Sequence, residues 1–170
     1  MRKVLMFAIV LLALSVITPG IVKAMATRTV VTGSFSMTAT WPGEIKVTKS
    51  GIMIQKGAEA SGPVVSDDPR LTGTLEIVLN VIFNLNTGDG NAFGTFIVSN
   101  ADGTFEGKFE NKDTGYVFYT GKAEAHGTGA YEGLLLKFDM EGRDWYRDGE
   151  EGTNGIDGDF MGYVLSPHGA

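Results

Sequence analysis

The amino-acid sequence predicts an all-β protein that forms a single eight-stranded antiparallel barrel. Long stretches alternate between apolar and polar residues, which is the pattern of half-buried strands. Short segments rich in Gly, Asn, Asp and Pro separate these stretches, as turns do in antiparallel sheets. The chain also has 24 Gly among 170 residues, a frequency that disfavours long helices.

The first predicted strand covers residues 29–41, and Pro42-Gly43 ends it as a turn. A second, less regular strand covers residues 44–56 and is interrupted near Ser50-Gly51. Residues 58–68 are rich in Gly, Ser, Pro and Asp, so they are predicted to form a surface loop. The inward-facing residues of the first strand are Val31, Gly33, Phe35, Met37, Ala39 and Trp41.

Residues 70–83 show the clearest alternation, with Leu75 and Ile77 on the inward face and Thr74 and Glu76 on the opposite face. The five later strands follow the same pattern. They cover residues 93–99, 104–110, 116–125, 134–141 and 160–165. Turns are predicted at residues 86–91, 100–103 and 111–115, and a long acidic loop at residues 144–158.

Eight short antiparallel strands fit a closed barrel or a two-sheet β-sandwich. Glycines in the inward phase favour the barrel, because they let a strand bend sharply enough for a small barrel to close. The sandwich remains the alternative. The inward glycines are Gly33, Gly73, Gly107 and Gly121.

The N-terminal segment is predicted to be a signal peptide covering residues 1–26. Arg2 and Lys3 precede the apolar run of residues 4–17, and Ala24-Met25-Ala26 is a small-residue cleavage site. Cleavage leaves one domain, residues 27–170, which is expected outside the cytoplasm, secreted or on the cell-envelope exterior. An uncleaved N-terminal anchor, with the run extended to Val22, is the alternative.

Charge and composition exclude several functions. The formal net charge is −6, and loss of Arg2, Lys3 and Lys23 with the signal peptide leaves 11 basic and 20 acidic residues, a net charge of −9. Such a domain is not expected to bind nucleic acid, nor a membrane after cleavage. Two His and no Cys argue against a transition-metal site, and no nucleotide or hydrolase fingerprint predicts a cofactor.

A short motif resembles one known group of proteins. Residues 127–134 read GTGAYEGL and follow a predicted strand, and GTFIVSNADGTFEGKF lies upstream. This pattern resembles the allene oxide cyclase-like and dirigent-like small barrels, over residues 93–165. The resemblance implies an eight-stranded antiparallel barrel, often secreted, in a family of which some members bind or cyclise small apolar molecules. It implies no functional residue in this sequence.

The candidate ligand-binding residues are the large residues that the alternation places on the inward face of their strands. An eight-stranded barrel holds at most one small molecule among such residues, and the same side chains also serve as packing. Neither use is excluded by the pattern. The candidate lumen residues are Phe35, Met37, Trp41, Phe105 and Tyr119.

Two polar constellations are predicted to face solvent. Glu124 and His126 share a strand face but have the phase opposite to Tyr119. The acidic loop carries Asp148 and Glu150, whose oxygens suit Ca²⁺, but its spacing does not match an EF-hand. A solvated acidic loop is the preferred interpretation, and calcium binding is the alternative.

These observations favour a secreted, non-enzymatic barrel that binds a small apolar molecule or a surface partner. The first rival is an isomerase or cyclase that acts on an apolar substrate in the lumen, and the second is a structural envelope domain without a ligand. A placed charge or hydrogen-bond donor in the lumen would favour catalysis. The alternation predicts only one such group, the hydroxyl of Tyr119. The oligomeric state is not predicted.

Overall fold

A computed structural model describes residues 26–115, 117–146 and 154–166. These residues form nine β-strands and one short 3-10 helix, Pro69–Leu71. The strands are β1 (Thr27–Trp41), β2 (Glu44–Val47), β3 (Ile52–Ser66), β4 (Gly73–Asn84), β5 (Asp89–Ser99), β6 (Gly103–Thr114), β7 (Phe118–Gly129), β8 (Leu135–Tyr146) and β9 (Asn154–Ser166).

Eight of the strands close into an antiparallel barrel. The strand order is β1-β9-β8-β7-β6-β5-β4-β3, and pairing of β1 with β3 completes the ring. The ninth strand, β2, pairs only with the first part of β3 and lies outside the ring. The predicted barrel is therefore confirmed, and the sandwich alternative is wrong because no pair of separate sheets exists among the described residues.

The barrel has two unlike ends. We call the end that holds the loops 67–72, 100–102 and 130–134 the base, and the opposite end, where β6 ends and β7 begins, the mouth. The base is tightly packed, because the most deeply buried large side chains lie there or in the part of the lumen next to it. These side chains are Phe105, Leu71, Leu136, Val31 and Val164.

The glycine-rich motif of residues 127–134 closes the base. Gly129 and Gly133 have φ of +62° and +82°, a conformation that a Cβ disfavours. The turn between them carries Tyr131 back over the lumen, where its ring is buried. Asn100 accepts a hydrogen bond from the Tyr131 hydroxyl (2.8 Å) and donates to the carbonyl of Arg70 (3.2 Å), which links three base loops.

The predicted loop at residues 58–68 is wrong, because most of it belongs to β3. Residues 56 and 57 form a bulge in the β3–β4 pairing, which shifts the alternation. Beyond it Ala58, Ala60 and Val64 are buried. Small residues in this segment fit the close approach of β1: a Cβ on Gly62 would collide with the Ser36 carbonyl. This segment has the composition of a loop because the close approach of β1 leaves room only for small side chains.

Trp41 is the one candidate lumen residue that the structure places outside. Its side chain is 56% exposed. The pairing of β1 with β3 shifts between Ala39 and Trp41, so that Trp41 stands opposite the exposed Glu59. A bulge of one residue sends every later side chain to the other face. The prediction of an inward Trp41 is therefore wrong.

Several predicted boundaries also change. Residues 44–56 are not one strand but β2 and the start of β3, joined by a turn at residues 48–51. The predicted turn at residues 111–115 is mostly strand, since β6 extends to Thr114. The predicted loop at residues 144–158 is shorter, because β8 reaches Tyr146 and β9 begins at Asn154. The signal peptide up to residue 25 and the proposed calcium ligands Asp148 and Glu150 lie outside the described residues.

Candidate ligand site in the barrel lumen

The lumen contains a cavity of about 60 Å³. Its walls come from all eight barrel strands and from the short helix at the base, and nearly all of the lining side chains are apolar. Leu71 lies at the base end of this cavity, and Asn111, Tyr119 and Ile156 lie at the mouth end. The cavity therefore follows the barrel axis from a closed base toward the mouth.

Three of the five candidate lumen residues line this cavity: Phe35, Met37 and Tyr119. Phe105 is fully buried but lies in the packed base, where its ring stacks on Tyr131 rather than facing the cavity. Trp41 is on the outer surface, as described above. The structure thus brings together Phe35, Met37 and Tyr119, and it separates Phe105 and Trp41 from them.

The structure adds three polar residues that the sequence analysis missed. Asn111 and Asp113 continue the inward phase of β6, since they pair with Gly121 and Tyr119 of β7. Asp144 continues the inward phase of β8, opposite the cavity-lining Ile156. Extending the alternation of each strand by two or four residues would have found them. We call Asn111, Asp113, Tyr119 and Asp144 the polar end of the lumen.

Tyr119 contributes a hydrogen-bond donor that already has a partner. Its hydroxyl donates to the main-chain carbonyl of Asp157 (3.2 Å). Burial, and then the negative charges of Asp144 and neighbouring aspartates, raise the pKa of the Tyr119 hydroxyl far above its usual range. Tyr119 therefore remains a neutral phenol at any physiological pH. A Cβ on Gly158 would collide with this hydroxyl, so the glycine makes room for it.

Asn111 contributes an acceptor that has no partner. Its Oδ1 atom is buried and makes no hydrogen bond within the described structure. The amide lies against Gly121 of β7, where an added Cβ would collide with Oδ1. An unsatisfied buried acceptor costs about 1–3 kcal/mol, so its persistence needs an explanation. Since Asn111 also lines the cavity, a water or a ligand group in the lumen would supply the missing donor.

Asp113 and Asp144 lie on the two strands that flank β7. Burial raises the pKa of the Asp113 carboxyl. Burial, and then the charge of Asp113, raise the pKa of the Asp144 carboxyl to about 6. Asp144 nevertheless keeps an exposed surface at the rim of the mouth, so water reaches its carboxyl. Neither carboxyl forms a salt bridge with a described basic residue.

The outer face carries the solvated polar groups that the alternation predicts. Glu124 and His126 are exposed, and Glu124 pairs with Lys137 across β7 and β8 (2.5 Å). This pair lowers the pKa of Glu124 and raises that of Lys137. Within the described residues, no group of three or more His, Cys, Asp or Glu side chains is arranged to hold a metal. The described part of the chain also has no helix with the length and apolarity needed to span a membrane.

Comparison with known proteins does not assign the chain to a family. No protein-family model matches the sequence, and no curated protein matches it. The geometry of the lumen is therefore the basis for the functional argument.

Proposed function

We propose that this barrel binds a small, largely apolar molecule in its lumen. The observation that supports the proposal is the apolar cavity along the barrel axis, closed at the base and ending at the mouth in an unpartnered acceptor. An apolar group that enters it leaves water, which contributes about 25 cal/mol for each Å² buried. Three residues that the sequence marks as inward, Phe35, Met37 and Tyr119, line this space.

The cavity volume sets the size of the ligand. About 60 Å³ is several times the 10–15 Å³ that one water requires, yet it is too small for a long acyl chain. Met37 and Met140 also line the space, and their flexible side chains allow some expansion. A cavity of about 150 Å³ holds benzene, so a ligand of about one ring fits once these methionine side chains move aside. A structural domain without a ligand is the alternative that the small volume leaves open.

Toluene is a suitable first probe, because it has the expected size and no polar group. We expect it to bind the wild-type barrel, measured by chemical-shift changes at lumen methyl groups. Leu79→Phe places a larger ring on a residue that lines the cavity, and toluene binding should be lost. Val78→Phe adds the same ring to the exposed outer face of β4 and is the matched control.

Two results would contradict the binding proposal. Toluene that shifts no lumen methyl group would favour a packed structural domain. Equal binding to the Leu79→Phe and Val78→Phe variants would place the probe outside the lumen. Both variants are first compared by thermal denaturation, because overpacking of a core costs about 1–3 kcal/mol.

An isomerase or cyclase is a second candidate, favoured by the carboxyl groups of Asp113 and Asp144 at the mouth end of the lumen. An acid with a pKa near 6 is suited to proton transfer at neutral pH. The resemblance of residues 127–134 to allene oxide cyclase-like and dirigent-like barrels supports the same candidate. An enzyme would be favoured if a ligand incubated with the wild-type protein is recovered as an isomer, whereas the same ligand incubated with the Asp144→Asn variant is recovered unchanged.

We also propose that the domain is exported and cleaved after Ala26. Thr27, the residue that follows the cleavage site, is the first residue of β1, so the proposed mature chain coincides with the start of the barrel. Mass spectrometry of exported material should find an N-terminus at Thr27. A chain that still begins at Met1 would support the anchor alternative.

A further inference from the structure

The polar end of the lumen contains more hydrogen-bond acceptors than donors. The donors are the Tyr119 hydroxyl and the Nδ2 amide of Asn111, and the carbonyl of Asp157 already accepts from Tyr119. Asn111 Oδ1 is a buried acceptor that makes no hydrogen bond with any described residue. Ionised carboxyl groups at Asp113 and Asp144 would add acceptors only. A ligand that satisfies this end must therefore donate hydrogen bonds.

The charge at this end is negative, and no basic residue in the described part of the chain forms a salt bridge with it. The strands β6, β7 and β8 contribute Asp113, Tyr119 and Asp144 to the inward face. The other strands contribute no titratable residue to the inward face near the mouth among the described residues. Their inward residues there are Met37 of β1, Gln55 of β3, Val81 of β4, Ala92 of β5 and Ile156 of β9.

The acidic pair is destabilised by its own charge. Two carboxylates that face a common space repel each other, and the charge of Asp113 disfavours ionisation of Asp144. A cation between them would relieve the repulsion and form charge-assisted hydrogen bonds, which are about twice as strong as neutral ones. A carboxylate ligand would meet the same repulsion and bind less well.

We propose that the lumen ligand is a small primary amine in its ammonium form, with its apolar part in the cavity and its ammonium group at Asn111, Asp113 and Asp144. This inference rests on the proposed lumen binding. The ammonium group has three donors and no acceptor, which matches one amide oxygen and two carboxyl groups. The apolar part meets the cavity walls formed by residues such as Phe35 and Met37.

Four probes of similar size separate the contributions of the apolar ring, a neutral hydrogen-bond donor, a positive charge and a negative charge to binding. These probes are toluene, benzyl alcohol, benzylamine and benzoate. At pH 7.5 we expect benzylamine to bind at least about tenfold more tightly than toluene, the ratio that corresponds to one charge-assisted hydrogen bond of modest strength. Benzyl alcohol should fall between them, and benzoate should bind more weakly than toluene. Affinities are measured by titration of the lumen methyl resonances.

Substitutions identify the atoms responsible. Asn111→Leu and Asp144→Asn should each reduce the ratio of benzylamine affinity to toluene affinity at least threefold, about 0.7 kcal/mol at the conversion of 1.4 kcal/mol per tenfold. The ratio is the readout because Asn111 lines the cavity and its replacement also changes the surface that toluene contacts. Asn91→Leu and Asp139→Asn alter the same residue types on the exposed outer face and are the matched controls. Acidification to pH 5 should also reduce the preference, since protonation of Asp144 removes a negative charge.

Each outcome bears on one proposal. If toluene and benzylamine bind equally, the amine inference is overturned and lumen binding stands. If benzyl alcohol binds as tightly as benzylamine, a neutral hydrogen-bond donor is sufficient and the proposal of a cationic ligand is wrong. If no probe binds, the proposed lumen function itself fails.

Discussion

The ring of Tyr131 stacks on the ring of Phe105, with centroids 5.2 Å apart and an interplanar angle of 12°. The Tyr131 hydroxyl donates to Asn100 Oδ1 at 2.8 Å, so both the face and the tip of the ring are engaged. Phe105 is fully buried beneath it. The pair forms the floor of the lumen and seals the base of the barrel against water.

Tyr131→Ala should destabilise the domain by about 3–5 kcal/mol, because it removes a buried aromatic ring and leaves a cavity over Phe105. Tyr131→Phe keeps the ring and removes only the hydrogen bond to Asn100, so it should cost about 1 kcal/mol. Urea unfolding measures both variants. Equal losses would show that the hydrogen bond, not the stacked ring, secures the base.

Leu75→Asp and Ile77→Asp should prevent folding, because both side chains are buried in mid-strand and an unpaired buried carboxylate is costly. Thr74→Lys and Glu76→Lys change the exposed face of the same strand and should cost under about 1 kcal/mol. Thermal denaturation compares the two sets. Similar losses in both would contradict the inward and outward faces of β4.

Asp144→Asn should stabilise the domain at pH 7 and have no effect below about pH 4. The folded-state pKa of about 6 lies above the ordinary value of 3.8, so the native state holds its proton longer than the unfolded chain. The contribution of this proton to the free energy of unfolding is fully present below pH 3.8, and it is lost as the pH rises toward 6. Because Asp144 is exposed, solvent screening should keep the gain below about 1 kcal/mol. Unfolding at several pH values checks the sign, and a loss at pH 7 would contradict it.

Tyr119→Phe should cost about 1 kcal/mol, since it removes one hydrogen bond and leaves the carbonyl of Asp157 unpaired. Tyr163→Phe is the control, because the Tyr163 ring packs under Arg28 on the outer face and keeps that contact without its hydroxyl. Urea unfolding should separate the two variants. A larger loss for Tyr163→Phe would place the important hydroxyl outside the lumen.

Alternation predicted the strands, and the glycines in the inward phase favoured the barrel over the sandwich. Inward residues such as Leu75, Ile77 and Phe105 were identified because a strand has a period of two and one face of each strand is buried. Bulges could not be predicted this way, and one of them accounts for the error at Trp41. The error at Ala58 to Val64 has another cause, because small residues that fit the close approach of β1 were taken for a loop. One inserted residue inverts the phase without leaving a mark in composition.

The candidate site was only half predictable. Phe35, Met37 and Tyr119 were found by phase, but Asn111, Asp113 and Asp144 were assigned to turns and loops because of their residue types. Asn and Asp favour turns in isolation. Here the neighbouring strands extend the ladder and hold them in β conformation. The alternation of a strand should therefore be extended through the polar residues at its ends before those residues are assigned to a turn.

The pairing of β1 with β9 joins the beginning of the barrel to its end, from Thr27 opposite Ser166 to Thr38 opposite Gly155. The ribosome makes β9 after the other eight described strands, so the ring cannot close until β9 has been synthesised. Pairings between such distant segments also form slowly, because loop entropy opposes them until the other contacts exist. A nascent chain of this design therefore exposes unpaired edges on β1 and β8 until β9 pairs with both of them.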